Sequence, residues 1–426
     1  MRRLFGLVHK VFNNDYLFSV IAKVLSLFVA IVVSSITARF FGAELKGVMS
    51  VVQNDVTLYS VFLGLGIYQA YPFFRKKEPD ILPSYINNIT SYYIVFQVIA
   101  LIIATIMFYY KINVYLALAI ILIPVDAYIK QLNYVVLIEH PKRRNSSSLI
   151  ISFSEIVILG IMWVFFDASV ETVLAYYVFT VLADLILSYI NLRYSPIKIR
   201  FSLNRIFEFI KFGYIPMLVY LCMSINYKID IQMLKWYENV SYADIGIYGV
   251  GVSLASKVWL IPDAVKDILL SRLVKGKQEK EVAKVIRCSL AVCLVSIIAF
   301  TAIGKPIVLW LYGEEFSDVY TVMIVLFVGI LSMVFYKMVY SYNVSRGKRT
   351  INLIFLGVAA IVNVIGNLIL IPQYGIWGAA IMSVVSYVVC GVSFLIYFHR
   401  VSHISLSQIL FVQKEDFSMV KNFLKK

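Results

Sequence analysis

The stretch Arg193-Tyr194-Ser195-Pro196-Ile197-Lys198-Ile199-Arg200-Phe201-Ser202-Leu203-Asn204-Arg205-Ile206 divides the chain in two. It carries four basic residues and a proline, holds no acid, and stands between long apolar runs. Before it lie six apolar stretches, at 17–38, 48–72, 88–110, 113–138, 148–166 and 171–192. After it lie six more, at 207–234, 243–270, 288–311, 319–343, 351–371 and 376–398. Each is long enough to cross a hydrocarbon core of roughly 30 Å at about 1.5 Å per residue. The reading is an all-α integral membrane protein with twelve transmembrane helices in two six-helix lobes. The N-lobe takes residues 1–198, and the C-lobe takes 199–426 with a polar tail at 399–426.

Basic residues set the orientation. Arg2, Arg3 and Lys10 precede the first stretch. Every second gap is basic: Arg75-Lys76-Lys77, Lys142-Arg143-Arg144, the 193–206 stretch, the segment from Arg272 to Arg287, and Arg346 with Lys348 and Arg349. The tail adds Arg400, Lys414, Lys421, Lys425 and Lys426. The alternate gaps hold only Arg39, Lys46, Lys111, Lys235 and Lys305. The positive-inside rule therefore places both termini and the basic loops in the cytoplasm, and an even number of spans agrees. The first span is too long for a cleavable signal, lacks a small-residue cleavage pattern and is expected to act as an uncleaved insertion signal, while residues 1–12 either lie on the inner leaflet as a short helix or serve as a charged leader.

A hydrophobic fraction of 61% and a mean hydropathy of +0.84 exclude an ordinary soluble domain. The net charge of +15 sits in short loops beside the spans, so it points to orientation and anionic headgroups rather than to nucleic acid. Cys222, Cys288, Cys293 and Cys390 form no CxxC, and the four histidines form no ligand cluster, so no metal or cofactor is expected. Gly347-Lys348-Arg349-Thr350 lacks the Walker A pattern. Any transport would then draw on an ion gradient, with H+ or Na+ as the coupling ion, or on the substrate's own gradient.

The halves echo one another weakly. Arg39 and Lys235 each close a first helix, and Gly47 and Gly246 each follow a short turn into the next. Six spans separate the copies, so both start on the cytoplasmic side. They are parallel repeats related by an axis along the membrane normal.

Ionisable groups at membrane depth are costly and need partners or water. The cations are Lys23, Lys130, Lys228, Lys257 and Lys337, and the acids Asp55, Asp126, Glu155, Asp184, Asp230 and Asp263. Asp126 and Lys130 are spaced i,i+4, which permits a structural pair, with Asn133 continuing their face. Glu155 and Asp184 serve either as packing partners or as proton carriers. Gln53-Asn54-Asp55 places three polar residues about 100° apart on one helix, so Asn54 and Asp55 are expected against protein or a wet cavity. Lys257 lies mid-span with no acid at i±3 or i±4, and an anionic substrate is a candidate partner. Lys228 and Asp230, two residues apart, are expected to face different partners; Lys337 is expected to snorkel to the headgroups. Pro216 and Pro262 are expected hinges. Asp55, Asp230 and Asp263 are the candidate ion-coupling acids.

Three phrases carry a resemblance. They are Ala22-Lys23-Val24-Leu25-Ser26 with Ala38-Arg39-Phe40-Phe41-Gly42-Ala43, Leu311-Tyr312-Gly313-Glu314-Glu315-Phe316, and the run from Asn367 to Ile381 (NLILIPQYGIWGAAI). The chain resembles the polysaccharide-unit flippases (O-antigen and capsule repeat-unit translocases) of the multidrug/oligosaccharidyl-lipid/polysaccharide exporter superfamily, relatives of the lipid II flippases. The resemblance implies a V-shaped pair of lobes around a central cavity, alternating access, and an undecaprenyl-pyrophosphate-linked oligosaccharide as cargo. It also implies a bacterial inner-membrane location and a cavity-facing cation at Lys23. The polysaccharide polymerase and chain-length regulator of O-antigen and lipopolysaccharide assembly are possible partners, beside the membrane lipids. Within the closing phrase, Pro372 is expected to stop the eleventh span, Gly375 to make the turn, and Gly378 to let the twelfth pack closely. Two other functions fit less well. A cation-coupled multidrug antiporter favours an acid-lined pocket without lysines. A membrane-embedded glycan polymerase or glycosyltransferase needs a larger extramembrane segment than any here.

Overall fold

The computed structural model describes residues 15–194, 198–274, 279–413 and 416, with the side chains of residues 15–24 outside the described set. The described residues are almost entirely helical and hold no strand. Among them, ten helices are long and apolar enough to span a membrane. An eleventh is the pair Glu314–Ile330 and Met333–Ser345, bent by 43° at its break. That is fewer than the expected twelve, because one helix, Asp15–Gly64, carries both the first and second apolar stretches. Gly42, at φ 71° and ψ 178°, breaks that helix internally. Lys46 Nζ donates to Thr37 Oγ1 at 2.8 Å across the break.

The second apolar stretch is not one straight helix to residue 72. It ends at Gly64, passes through Leu65 and Gly66 at φ 44° and 69°, and resumes at Ile67–Lys77. A Cβ on Gly66 would lie 2.4 Å from the Gly213 carbonyl oxygen, and one on Gly213 would lie 2.2 Å from the Gly66 oxygen. The two backbones touch, which only glycine permits.

The chain forms two compact units, Met1–Leu221 and Cys222–Lys426. The helix Leu203–Leu234 gives its first part to the first unit. Phe209 is fully buried beside Tyr71 and Tyr85, and Phe212 stacks on Phe73 with centroids 4.3 Å apart. The linker is tied down as well: the Lys198 and Ser202 amides donate to Asn87 and Asn88 Oδ1, each at 2.8 Å. Those buried asparagines on Ile81–Tyr109 satisfy linker backbone that has no helical partner.

In the second unit the eighth apolar stretch is also broken. Tyr242–Ser256 passes through a 3-10 turn at Lys257–Trp259 into Leu260–Val274. Proline at 262 has no N–H for the Val258 carbonyl, and the Cys293 thiol donates to that oxygen at 3.6 Å instead. The 3-10 turn ends three residues before Pro262. Pro216 stays inside a continuous helix. Pro372 does not stop the eleventh span, which runs to Tyr374. Gly375 makes the turn at φ 54°, and a Cβ on Gly378 would lie 2.4 Å from the Leu370 oxygen. The close packing expected there is present.

Candidate ion and substrate sites

In the first unit the polar residues of the fourth span face the second and sixth. Asp126 and Lys130 pair at 2.7 Å. Ser60 Oγ sits between them, donating to Asp126 Oδ2 at 2.6 Å and accepting from Lys130 Nζ at 2.6 Å. Asn133 Nδ2 donates to Asp184 at 3.2 Å, and Ser188 donates to Asn133 Oδ1 at 2.7 Å. This stripe is internal and largely satisfied. Asn54 and Asp55 are both buried in the same unit. The Lys23 side chain lies outside the described residues.

The second unit separates Lys228 from Asp230, as their spacing requires. Asp230 is 2% exposed and turns toward the eleventh and twelfth spans. Tyr248 donates to its Oδ2 at 2.8 Å and Asn367 Nδ2 to its Oδ1 at 2.7 Å, and Ser383 donates to Oδ2 as well. Asn367 also reaches Asn363 Oδ1 at 2.6 Å, one helical turn away. Asp230 has no ion pair among the described residues. Both amide atoms of Asn226 and the Asn367 Oδ1 are buried without a hydrogen-bond partner. Two hydroxyls and an amide N–H therefore surround a carboxylate that pairs with no cation among the described residues.

Lys228 instead lines a cavity of about 480 Å³ inside the second unit, with Lys266, Lys337, Asp263 and Trp259. The cavity sits where two broken spans meet. Trp259, in the 3-10 turn of the eighth, donates through Nε1 to the Ile330 carbonyl at 2.9 Å, beside the break of the tenth. A helix break frees a carbonyl, and the indole takes it up. Tyr227, Trp259 and Tyr387 form an aromatic wall with centroids 5.4–5.8 Å apart.

Lys337 does not snorkel. Its side chain is buried, its Nζ is 2.7 Å from Asp263 Oδ1, and it stands 4.5 Å from the Trp259 ring centroid. The spacing of the sequence missed this pair because the partners are 74 residues apart; the only hint was that both are ionisable at membrane depth. Asp263 also lies 3.8 Å from Lys266. The cavity thus carries three ammonium groups against one carboxylate. Lys257, two residues before Trp259, is half-buried and makes no hydrogen bond or ion pair among the described residues.

The family model described as "Polysaccharide biosynthesis protein" matches residues 13–261. A comparison with curated protein sequences gives no match. Among solved structures, the chain is similar to the lipid II flippase MurJ in an inward closed conformation, with a TM-score of 0.69 and 14% identity over 96% of this chain and 93% of that one. It is similar to a multidrug resistance MATE transporter of the MOP superfamily, inward-facing, at TM-score 0.64 and 14% identity over 89% and 94%. A MOP superfamily transporter from Pyrococcus furiosus gives 0.55 and 13% over 91% and 95%. At such identities the likeness is one of fold.

Proposed function

Because the chain belongs to the polysaccharide biosynthesis protein family, we propose that it is a flippase, not an enzyme, which moves undecaprenyl-pyrophosphate-linked oligosaccharide units from the cytoplasmic to the periplasmic leaflet. The setting is assembly of O-antigen or another surface polysaccharide in a bacterial inner membrane, with both termini cytoplasmic. The observation that carries the reading is Lys257, an ammonium at membrane depth with no counter-charge among the described residues. Such a group keeps its charge only when something anionic compensates it. A pyrophosphate or an acidic sugar supplies that charge at each turnover, so the loaded and empty states prefer different conformations. Lys23 and Lys228, with Asn54 and Asp55, complete the proposed substrate contacts.

Asp230 is the proposed seat of the coupling ion. A buried carboxylate with three donors and no cation is costly when charged, and taking up H+ or Na+ removes that cost. Asp55 and Asp263 are secondary candidates. Asp263 is already paired with Lys337 at 2.7 Å.

The test uses the purified protein in proteoliposomes with a lipid-pyrophosphate-linked glycan. Lys257→Ala is expected to abolish flipping while the protein still inserts, and Lys257→Arg to retain part of it. Full activity of Lys257→Ala overturns the assignment. Sugar transfer or chain elongation by the wild-type protein would favour the polymerase reading instead.

A further inference from the structure

A second and larger cavity, about 950 Å³, lies in the same unit at the end that the basic residues assign to the cytoplasm. Its walls are the helix Leu260–Val274, the first turns of Glu279–Tyr312, and the short helix Leu406–Leu410 with Gln413. Arg272, Lys280, Lys284 and Arg287 stand on its rim, and Ile261, Val265, Leu269 and Val292 form an apolar floor.

The rim cations are unequally engaged. Arg272 pairs with Glu281 at 2.7 Å. Arg287 is held by Asp416, its Nε at 2.8 Å and its Nη2 at 3.0 Å, and also donates to the Gln408 carbonyl. These bonds fix the tail segment as a wall. Lys284 approaches Asp416 only to 3.9 Å, and Lys280 makes no pair among the described residues. One unpaired ammonium, Lys280, and one loosely paired, Lys284, therefore stand at the mouth.

The floor does not close. Ile261 is 45% exposed and Val292 37%, and along the same helix Val295 and Ile298 are 67% and 60% exposed. Val292 and Val295 are three residues apart and share a face with Cys288, one turn toward the rim. The apolar floor thus continues as an exposed stripe along the span, where acyl chains lie. A free anion would use the rim alone. A molecule with an anionic head and two hydrocarbon tails uses rim, floor and stripe together.

We propose that this groove binds an anionic phospholipid, its phosphate between Lys280 and Lys284 and its acyl chains along Ile261, Val292 and Val295. The site is separate from Lys257 and from the Asp230 network, and does not depend on what the protein transports.

The test is protection of Cys288, the exposed one of the four cysteines; Cys293 and Cys390 are buried, and Cys222→Ser removes the half-buried one. Full-length protein in detergent is treated with a maleimide alone, with phosphatidylglycerol, with phosphatidylcholine, or with glycerol 3-phosphate. Phosphatidylglycerol is expected to slow labelling about fivefold or more, and the other two to leave it unchanged. Lys280→Gln/Lys284→Gln is expected to lose the protection, and Lys280→Gln, at an exposed position, to lose most of it. Lys76→Gln/Lys77→Gln, the same charge loss in the first unit, is expected to keep it. Equal protection by phosphatidylcholine would reduce the groove to unselective apolar contact. Equal protection by glycerol 3-phosphate would make it a soluble-anion site. Either result, or protection persisting without Lys280 and Lys284, overturns the proposal.

Discussion

Lys337 on the tenth span donates to Asp263 Oδ1 on the eighth at 2.7 Å, yet the two side chains are unequally covered, 8% and 46% exposed. The lysine is locked behind the aspartate, with the Trp259 ring on another side. A broken span carries each half of this arrangement, so the pair joins the two breaks.

Removing Asp263 leaves a buried ammonium uncompensated. A fully buried pair costs roughly 3–5 kcal/mol to break this way, and the exposure of Asp263 reduces that to about 1–3 kcal/mol. Asp263→Asn is expected to lower the melting temperature in detergent, and Lys337→Met added to it to recover most of the loss. A double-mutant cycle with no coupling would remove the pair from the account of this cavity.

The Gly66–Gly213 contact allows no side chain on either residue. Gly66→Ala meets both backbone overlap and a φ of 69°, at a cost of more than about 1 kcal/mol. Gly213→Ala meets the overlap alone. Both are expected to reduce thermal stability, with Gly66→Ala the worse. Wild-type stability in either would show that the first unit does not hold this approach in solution.

Arg287 bonds hold the Asp416 carboxyl below the usual carboxylate range. The folded state therefore binds that proton less readily than the unfolded chain does. Its contribution is complete above the unfolded value near ~3.9, and is lost as pH falls through the lower folded value. Melting temperatures of wild type and Asp416→Asn should differ at pH 6 and converge as the pH is lowered through this window. A gap that widens in acid would contradict the sign.

Ser60 relays a proton donor between Asp126 and Lys130. Ser60→Ala keeps the direct 2.7 Å ion pair but strips one bond from each partner. A loss of about 1–2 kcal/mol is expected, with flipping retained. Loss of transport at unchanged stability would move this stripe from structure to mechanism.

The fold was legible wherever physics is local. Apolar length located the helices, glycine at 375 located the turn between the last two spans, and the i,i+4 spacing of Asp126 and Lys130 gave a pair that the structure contains. The breaks at 65–66 and 257–259 were not legible, because hydropathy does not change where a helix turns within one apolar run. Pro262 marked the second break only to within a turn. For the same reason Lys337 read as a snorkelling residue: depth along its own helix said nothing of Asp263 on another.

By itself, the sequence determined that this chain is a multi-pass membrane protein, and which gaps between its apolar segments are basic. Those properties follow from transfer free energies summed along single segments. Tertiary structure alone decided which charges meet, where Asp230 finds its three donors, and that Lys257 finds no partner among the described residues. Such facts depend on the rotation of one helix against its neighbours, which packing fixes after every segment is already in place.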